Sequence, residues 1–285
     1  LTYFEFSTLA AFIIFEKAKV DIAILEVGLG GRLDSVNVVD SDVSIITNIA
    51  IDHTDYLGDT REAIGREKAG VMRGSRPCIC GDQDPPQSIM SYAQEIGTDI
   101  TFVSKSYKDE IGLEGDHQRL NAAVAIKAVE SLAEQLPISA SMITKGVKNA
   151  SIRARFEKVD VGEKIIILDV AHNPAAVKTL VDTLSKSSLQ TVAIFSALID
   201  KDIMEMIELA SNAIKHWYLV PLSSERAIES KALKNKFSSS VSTTICKDMN
   251  SAIQESLAHK GAERIVIFGS FYTIADASVI INELR

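Results

Sequence analysis

Short β-branched apolar runs alternate along this chain with stretches whose apolar positions recur at helical spacing. That alternation is the pattern of repeated βα units and mostly parallel sheets. Strand-sized runs are predicted at Val20–Val27, Val43–Ile49, Pro77–Cys80, Ile100–Val103, Lys164–Val170, Thr191–Ser196, His216–Val220, Val241–Cys246 and Arg264–Phe268. Helices are predicted between them, most clearly over Leu9–Lys19, Thr60–Met72, His117–Leu136, Ala175–Ser185, Lys201–Ile214, Met249–Lys260 and Tyr272–Leu284. No apolar run approaches the roughly 18 residues of a membrane span.

A helical stretch at Ser139–Ala150, followed by a fresh β-rich run from Phe156, predicts a domain boundary near 150 to 155. Residues 151–285 hold five strand-like runs separated by helices, enough for a doubly wound α/β domain. Residues 1–150 begin on a helix and supply about four strands, as if the first units of an α/β domain were absent. Leu1 opens in the middle of an apolar, aromatic segment without Met, basic leader or cleavage pattern, so the start reads as a cut.

Composition narrows the classes. With 46% hydrophobic and 24% charged residues, the chain is neither disordered nor collagen-like. Thirty basic against 38 acidic residues give a net charge of −8, which excludes a broad footprint for nucleic acid or an anionic membrane. Three cysteines (Cys78, Cys80, Cys246) are too few for a disulfide framework and point to a reducing, cytoplasmic compartment.

The candidate chemistry sits where strands are expected to end, the place at which open α/β sheets put ligands. Leu25-Glu26-Val27-Gly28-Leu29-Gly30-Gly31-Arg32-Leu33-Asp34 has Leu33 where a dinucleotide fingerprint needs its third glycine. A glycine-rich turn would by itself account for Gly28, Gly30 and Gly31, but not for a carboxylate, Glu26, closing an apolar run. Asp52 and His53 in Ile51-Asp52-His53-Thr54-Asp55 suit either a divalent cation or an ordinary turn. Arg66, Glu67 and Lys68 read on their own as a solvated helix face with i,i+3 and i,i+4 pairs. Arg153-Ala154-Arg155-Phe156 marks the domain junction, and Asn173-Pro174 is a helix start. Asp169 and His172, just before it, exceed what a helix start needs. Ser270 places a hydroxyl ahead of the last helix.

Taken together, LEVGLGGRLD, NIAIDHTDYLG, IGREKAG, HQRLNAA, RFEKV, LDVAHNP and FGSFYTIADA, in this order, resemble the folylpolyglutamate synthase and dihydrofolate synthase family, relatives of the Mur ligases. The resemblance covers nearly the whole chain. It implies a P-loop-type ATPase domain, incomplete at its N-terminus, over 1–150, and a smaller Rossmann-like glutamate-binding domain over 151–285. The implied activity is an ATP-dependent ligase that adds L-glutamate to dihydropteroate or reduced folates through an acyl phosphate, with Mg²⁺ as cofactor.

Carried over by position, Glu26 and His53 would be metal ligands, and Lys68 matches the lysine that the family carbamylates and uses as a third. Asn121 and Arg155 would contact nucleotide and phosphate, while Asp169 and His172 would meet ATP and the incoming glutamate. Ser270 resembles a contact to the glutamate carboxylate. Thr2, Phe4 and Asp34 match the pterin pocket, where an Asp suits paired hydrogen bonds and Phe supplies a stacking face. The partners implied are small molecules alone, bound by a monomer.

The departures are as informative. No glycine-rich phosphate cradle of the G-T-N-G-K-G-S type occurs, and in the family it would lie upstream of Leu1. The stretch Ser104–Glu114 looks contracted, and Ala154 and Val170 stand where glycine is common. Two other readings stay open: a Mur-type ligase with a different carboxylate acceptor, and a truncated, non-catalytic folate- or glutamate-binding protein.

Overall fold

The computed structural model describes residues 1–284. The chain forms two compact units, one of Leu1–Asp109 with Arg119–Val147, the other of Glu110–Gln118 with the chain from Lys148 onward.

The first unit opens with α1 (Tyr3–Ala18), begun by a capping box in which the Thr2 hydroxyl accepts from Glu5 N and the Glu5 carboxylate accepts from Thr2 N. Then follow β1 (Ser44–Ile46), α2 (Thr54–Leu57), α3 (Arg61–Ala69), β2 (Pro77–Cys80), α4 (Gln87–Ile96), β3 (Asp99–Phe102), α5 (Asp116–Glu130) and α6 (Ala140–Asn149). The three strands are parallel in the order β1-β2-β3, with Ser44 opposite Cys78 and Cys78 opposite Ile100. Ile46, Ile64, Met72, Cys78, Cys80 and Ile89 form the core on one face of this sheet, and Ile79, Val124 and Ala128 pack on the other.

One expectation changes here. The run Val20–Val27 is not a strand: it is irregular, with Ile24 91% exposed. An extended run becomes a strand only when a neighbour completes its ladder, and among the described residues none pairs with it. Glu26 therefore sits on an exposed irregular segment rather than at a strand end. Helix α4, in turn, has no side-chain cap at its own N-terminus, Pro86. Glu62 supplies one from 25 residues away, accepting from Gln87 N at 2.9 Å and Ser88 N at 2.8 Å. No local start signal announces such a helix.

The second unit contains β4 (Glu157–Val161), β5 (Lys164–Leu168), α7 (Pro174–Leu184), β6 (Thr191–Phe195), α8 (Ile203–Ala210), β7 (His216–Leu219), α9 (Ser230–Lys234), β8 (Thr243–Ile245), α10 (Met249–Ala258), β9 (Arg264–Phe268) and α11 (Phe271–Leu284). Its six strands run in the order β4-β5-β9-β6-β7-β8, all parallel except β4 against β5. The sixth strand, β4, opens the β-rich run expected from Phe156 but stands outside the five runs given bounds, since it reads Glu-Lys-Val-Asp-Val and buries only Val159. Charge on an edge strand protects its open side from other chains and hides its strand character. The central strands β6 and β9 are buried at every position, as a sheet covered on both faces requires. Trp217, Phe195 and Phe268 fill one face, and Ile166, Leu168, Ile194 and Ile267 the other.

Candidate functional site

In the first unit, the glycine-rich loop is built around Asp34. Its Oδ2 accepts from Gly28 N at 2.9 Å and Leu29 N at 3.0 Å, and its Oδ1 accepts from Val36 N, capping the short 3₁₀ turn Ser35–Val38. The Phe4 ring lies over Gly28, so that a Cβ there would come within 2.9 Å of it. The structure thus brings Phe4 and Asp34 together across Gly28, with Thr2 two residues before Phe4 at the helix cap. It also changes what Asp34 can offer. A carboxylate has about four acceptor positions, and three are taken by backbone N–H groups. Oδ2 is filled, and Oδ1 alone has capacity for a further donor, which is less than the paired acceptance expected of it.

The far side of the same loop is seated on α3. Gly31 lies so close that a Cβ would stand 3.0 Å from Glu67 O, and Arg32 N donates to that carbonyl at 2.8 Å. Gly30 takes φ +71°, the left-handed conformation that favours glycine.

The charges of α3 do not form the mutually paired face that their spacing suggests. Arg66 reaches Glu95 at 3.1 Å and stacks 4.1 Å from the centre of the Tyr92 ring. Glu67 takes a two-pronged contact from Arg32, at 2.9 Å and 3.1 Å. Lys68 turns inward and is half-buried. Burial lowers its pKa below the usual lysine value, and the Asp52 carboxylate opposes that shift. The Asp52-His53 segment is therefore within electrostatic reach of Lys68. His53 itself holds φ +53°, rare for a non-glycine residue, and its backbone N–H donates to Asp52 Oδ1 at 2.8 Å. Asp52, which the sequence offered only as a turn or cation ligand, is the carboxylate whose charge acts on Lys68.

Among the described residues no three His, Cys, Asp or Glu side chains converge as a metal cage. A cation at Glu26 and His53 would have one anionic and one neutral ligand and would require a further anionic group, and a carbamate on Lys68 is the group these residues could supply. Asn121 lies on α5, exposed.

In the second unit the expected residues gather at the carboxyl ends of β5 and β9. Asp169 follows β5 and accepts from Phe156 N at 2.9 Å through Oδ2 and from Ala171 N at 2.8 Å through Oδ1. Burial raises its pKa, while those two N–H groups, Arg155 and His172 pull it back down. This carboxylate ties down a strained turn in which Ala154 and Phe156 take φ +59° and +52° around the exposed Arg155. His172 Nδ1 lies 2.8 Å from Val170 O. A carbonyl only accepts, so Nδ1 carries a proton, which leaves Nε2 as the acceptor of the neutral tautomer. The His172 ring packs on Phe271, with centroids 5.6 Å apart.

Ser270 lies in the β9–α11 turn and is buried, its Oγ accepting from Thr273 N and 2.8 Å from Thr273 Oγ1. Before it, Gly269 holds φ +114° and donates to Ala171 O, which joins the Ser270 and His172 turns. Ser196, at the end of β6, went unnoticed in the sequence. Its Oγ is buried without a hydrogen-bond partner, and only its position after a buried strand could have flagged it.

Residues 2–95 match the Mur ligase middle domain, and residues 154–271 match the Mur ligase, glutamate ligase domain. The chain is 35% identical over 305 residues to the dihydrofolate synthase/folylpolyglutamate synthase of Escherichia coli K12, covering all of this chain and 71% of that protein. Its structure is similar to that of E. coli FolC in complex with DHPP and ADP, with a TM-score of 0.91 and 33% identity over 99% of this chain and 72% of the other. It is similar again to a bifunctional folylpolyglutamate synthase/dihydrofolate synthase from Yersinia pestis complexed with AMPPNP and a Mn ion, with a TM-score of 0.89, 37% identity and coverage of 99% and 72%. A likeness of this extent, running through both units, makes the chain a member of the dihydrofolate synthase/folylpolyglutamate synthase family of Mur-type ligases.

Proposed function

We propose that the protein is an ATP-dependent ligase that joins the amine of L-glutamate to the carboxylate of dihydropteroate or of a reduced folate. The observation that carries this reading is Lys68: a half-buried amine with a lowered pKa, facing Asp52 in the segment that holds His53, within a Mur ligase middle domain. A lysine must be neutral to add CO₂, and burial favours the neutral form. The carbamate would join Glu26 and His53 in holding Mg²⁺, which when bound neutralises phosphate charge.

In the reaction, a carboxylate oxygen of the pterin substrate attacks the γ-phosphorus of ATP, the bond to ADP breaks, and an acyl phosphate forms. The glutamate amine then attacks the acyl carbon, phosphate departs with the bonding electrons, and the amine gives up a proton. His172 Nε2 is suited to take that proton, because its Nδ1–H is fixed on Val170 O. Asp169 and Arg155 set the turn beside it and would contact nucleotide; a nucleotide contact is likewise the role that the family resemblance implies for Asn121. Ser270 would contact the glutamate carboxylate, and Thr2, Phe4 and Asp34 would contact the pterin. A cytoplasmic monomer is the setting that the family resemblance implies. No helix among the described residues is long and apolar enough to cross a membrane.

Incubation with ATP, Mg²⁺, L-glutamate and dihydropteroate or a reduced folate is expected to release ADP and a glutamylated pterin, and Lys68→Met to abolish both. Absence of turnover with either pterin defeats the proposal. Turnover with a muramyl nucleotide instead would favour a different acceptor.

A further inference from the structure

We infer that Arg61 and Asp82 are positioning residues, whose ion pair clamps both backbone groups of Ile49 and so fixes the segment leading to Asp52 and His53 against the helix that carries Lys68. The inference rests on the proposed role of Lys68 and His53. Asp82, two residues after the end of β2, is 7% exposed. Its Oδ2 accepts from Ile49 N at 2.6 Å, and Arg61 Nε donates to Ile49 O at 3.1 Å. Arg61 Nη2 closes the ring by donating to Asp82 Oδ1 at 2.9 Å and Oδ2 at 3.1 Å. Asp84 N fills a further site on Asp82 Oδ1, and Arg61 also donates to Asp84 O. Every acceptor position of a buried carboxylate is thereby used.

The position of this clamp gives it meaning. Beyond β1 the backbone passes through the exposed Thr47 and Asn48 before Ile49, whose side chain enters the core. Ile49 is the last anchored residue before Asp52 and His53. Arg61 is the first residue of α3, and Lys68 lies seven positions further along the same helix. At about 100° per residue that separation returns to the same face, about 10 Å along the axis. One rigid helix therefore carries both the amine and the guanidinium that holds the opposing segment in register with it. A buried ion pair is weak evidence of added stability, because well-packed apolar residues could replace it at no loss. What apolar residues could not reproduce is the directional grip on one N–H and one C=O of the same residue.

The test uses the purified protein with Mn²⁺ and ADP, reading free Mn²⁺ by electron paramagnetic resonance, together with the metal activation constant, the KM for glutamate and the melting temperature. Arg61→Met is expected to weaken Mn²⁺ binding per folded molecule and to raise the metal activation constant by tenfold or more, with the KM for glutamate changed less than twofold. Arg61→Lys, which keeps the charge but not the fork, should recover only part of the loss, and Asp82→Asn should resemble it. If Arg61→Met and Asp82→Asn are both folded and bind Mn²⁺ as the parent does, the inference is overturned while the proposed function stands. If the parent binds no Mn²⁺ and turns over neither pterin, the proposed function fails and takes this inference with it. A purely structural clamp would lower the melting temperature and leave the affinity of the folded molecules unchanged.

Discussion

Replacing Asp169 with Asn probes the junction between scaffold and chemistry in the second unit. The carboxylate gives one oxygen to Phe156 N and the other to Ala171 N, at 2.9 Å and 2.8 Å. An amide has a single acceptor oxygen, so one backbone N–H would face an NH₂ group and lose its partner. Losing a hydrogen bond to a charged group costs about 1.5–3 kcal/mol. Against this, Asn removes a charge whose burial is unfavourable, as the raised pKa of Asp169 records. The expected net loss at pH 7 is about 1–2 kcal/mol, a sizeable part of the roughly 5–15 kcal/mol that holds a typical domain together.

The pH dependence has a definite sign. With the folded pKa raised, the folded chain still holds a proton in the window between the usual Asp value and the raised one, where the unfolded chain has lost it. The contribution of Asp169 to stability is therefore full below the unfolded pKa and falls as pH rises through the folded one. Asn does not titrate, so the deficit of Asp169→Asn should narrow as pH rises across that window. Urea unfolding of both proteins from about pH 4 to pH 7 measures this directly. A deficit under about 0.5 kcal/mol, or one that widens with pH, would refute the argument that this carboxylate is a buried tie between two turns.

Two further expectations concern backbone strain at the same place. Ala154 holds φ +59°, where a Cβ costs about 1–2 kcal/mol, and glycine gives back part of that through its greater freedom in the unfolded chain. Ala154→Gly should therefore stabilise by about 0.5–1 kcal/mol in the same urea assay, and a loss would count against the strain. Gly269→Ala would place a Cβ 1.9 Å from Ser196 O at φ +114°, with no flexible side-chain tip to move aside. A loss of about 3 kcal/mol or more is expected, and one under about 1 kcal/mol would mean that the β9–α11 turn is not held as described.

Much of the second unit was legible from local signals. Strands β6 and β9 announce themselves as unbroken apolar runs because both faces of the sheet are covered, and Asn173-Pro174 marks the start of α7. The charges of β4 blurred its bounds within the β-rich run expected from Phe156, and the start of α4, one of the helices expected between strands, has no local mark because its cap comes from Glu62. The run Val20–Val27 misled for the opposite reason, since strand propensity has no effect without a partner ladder. The candidate site divides similarly. Family motifs pointed to Lys68, His53, Asp169 and His172. They said nothing of Asp52 as the charge facing Lys68, of the three N–H groups that occupy Asp34, or of Arg61 and Asp82 gripping Ile49.

The sequence by itself determined the α/β class, most element positions and the kind of chemistry, because periodicity, glycine placement and short motifs are properties of neighbouring residues. Only the tertiary structure decided the insertion of β9 between β5 and β6, which sets the Ser270 turn beside His172. It alone separated three consecutive charges on α3 into a stacked Arg66, a bridged Glu67 and a half-buried Lys68. Burial and a charge on a distant segment fix which lysine has its pKa lowered and how far that lowering is opposed, and neither quantity is carried by the residues next to it.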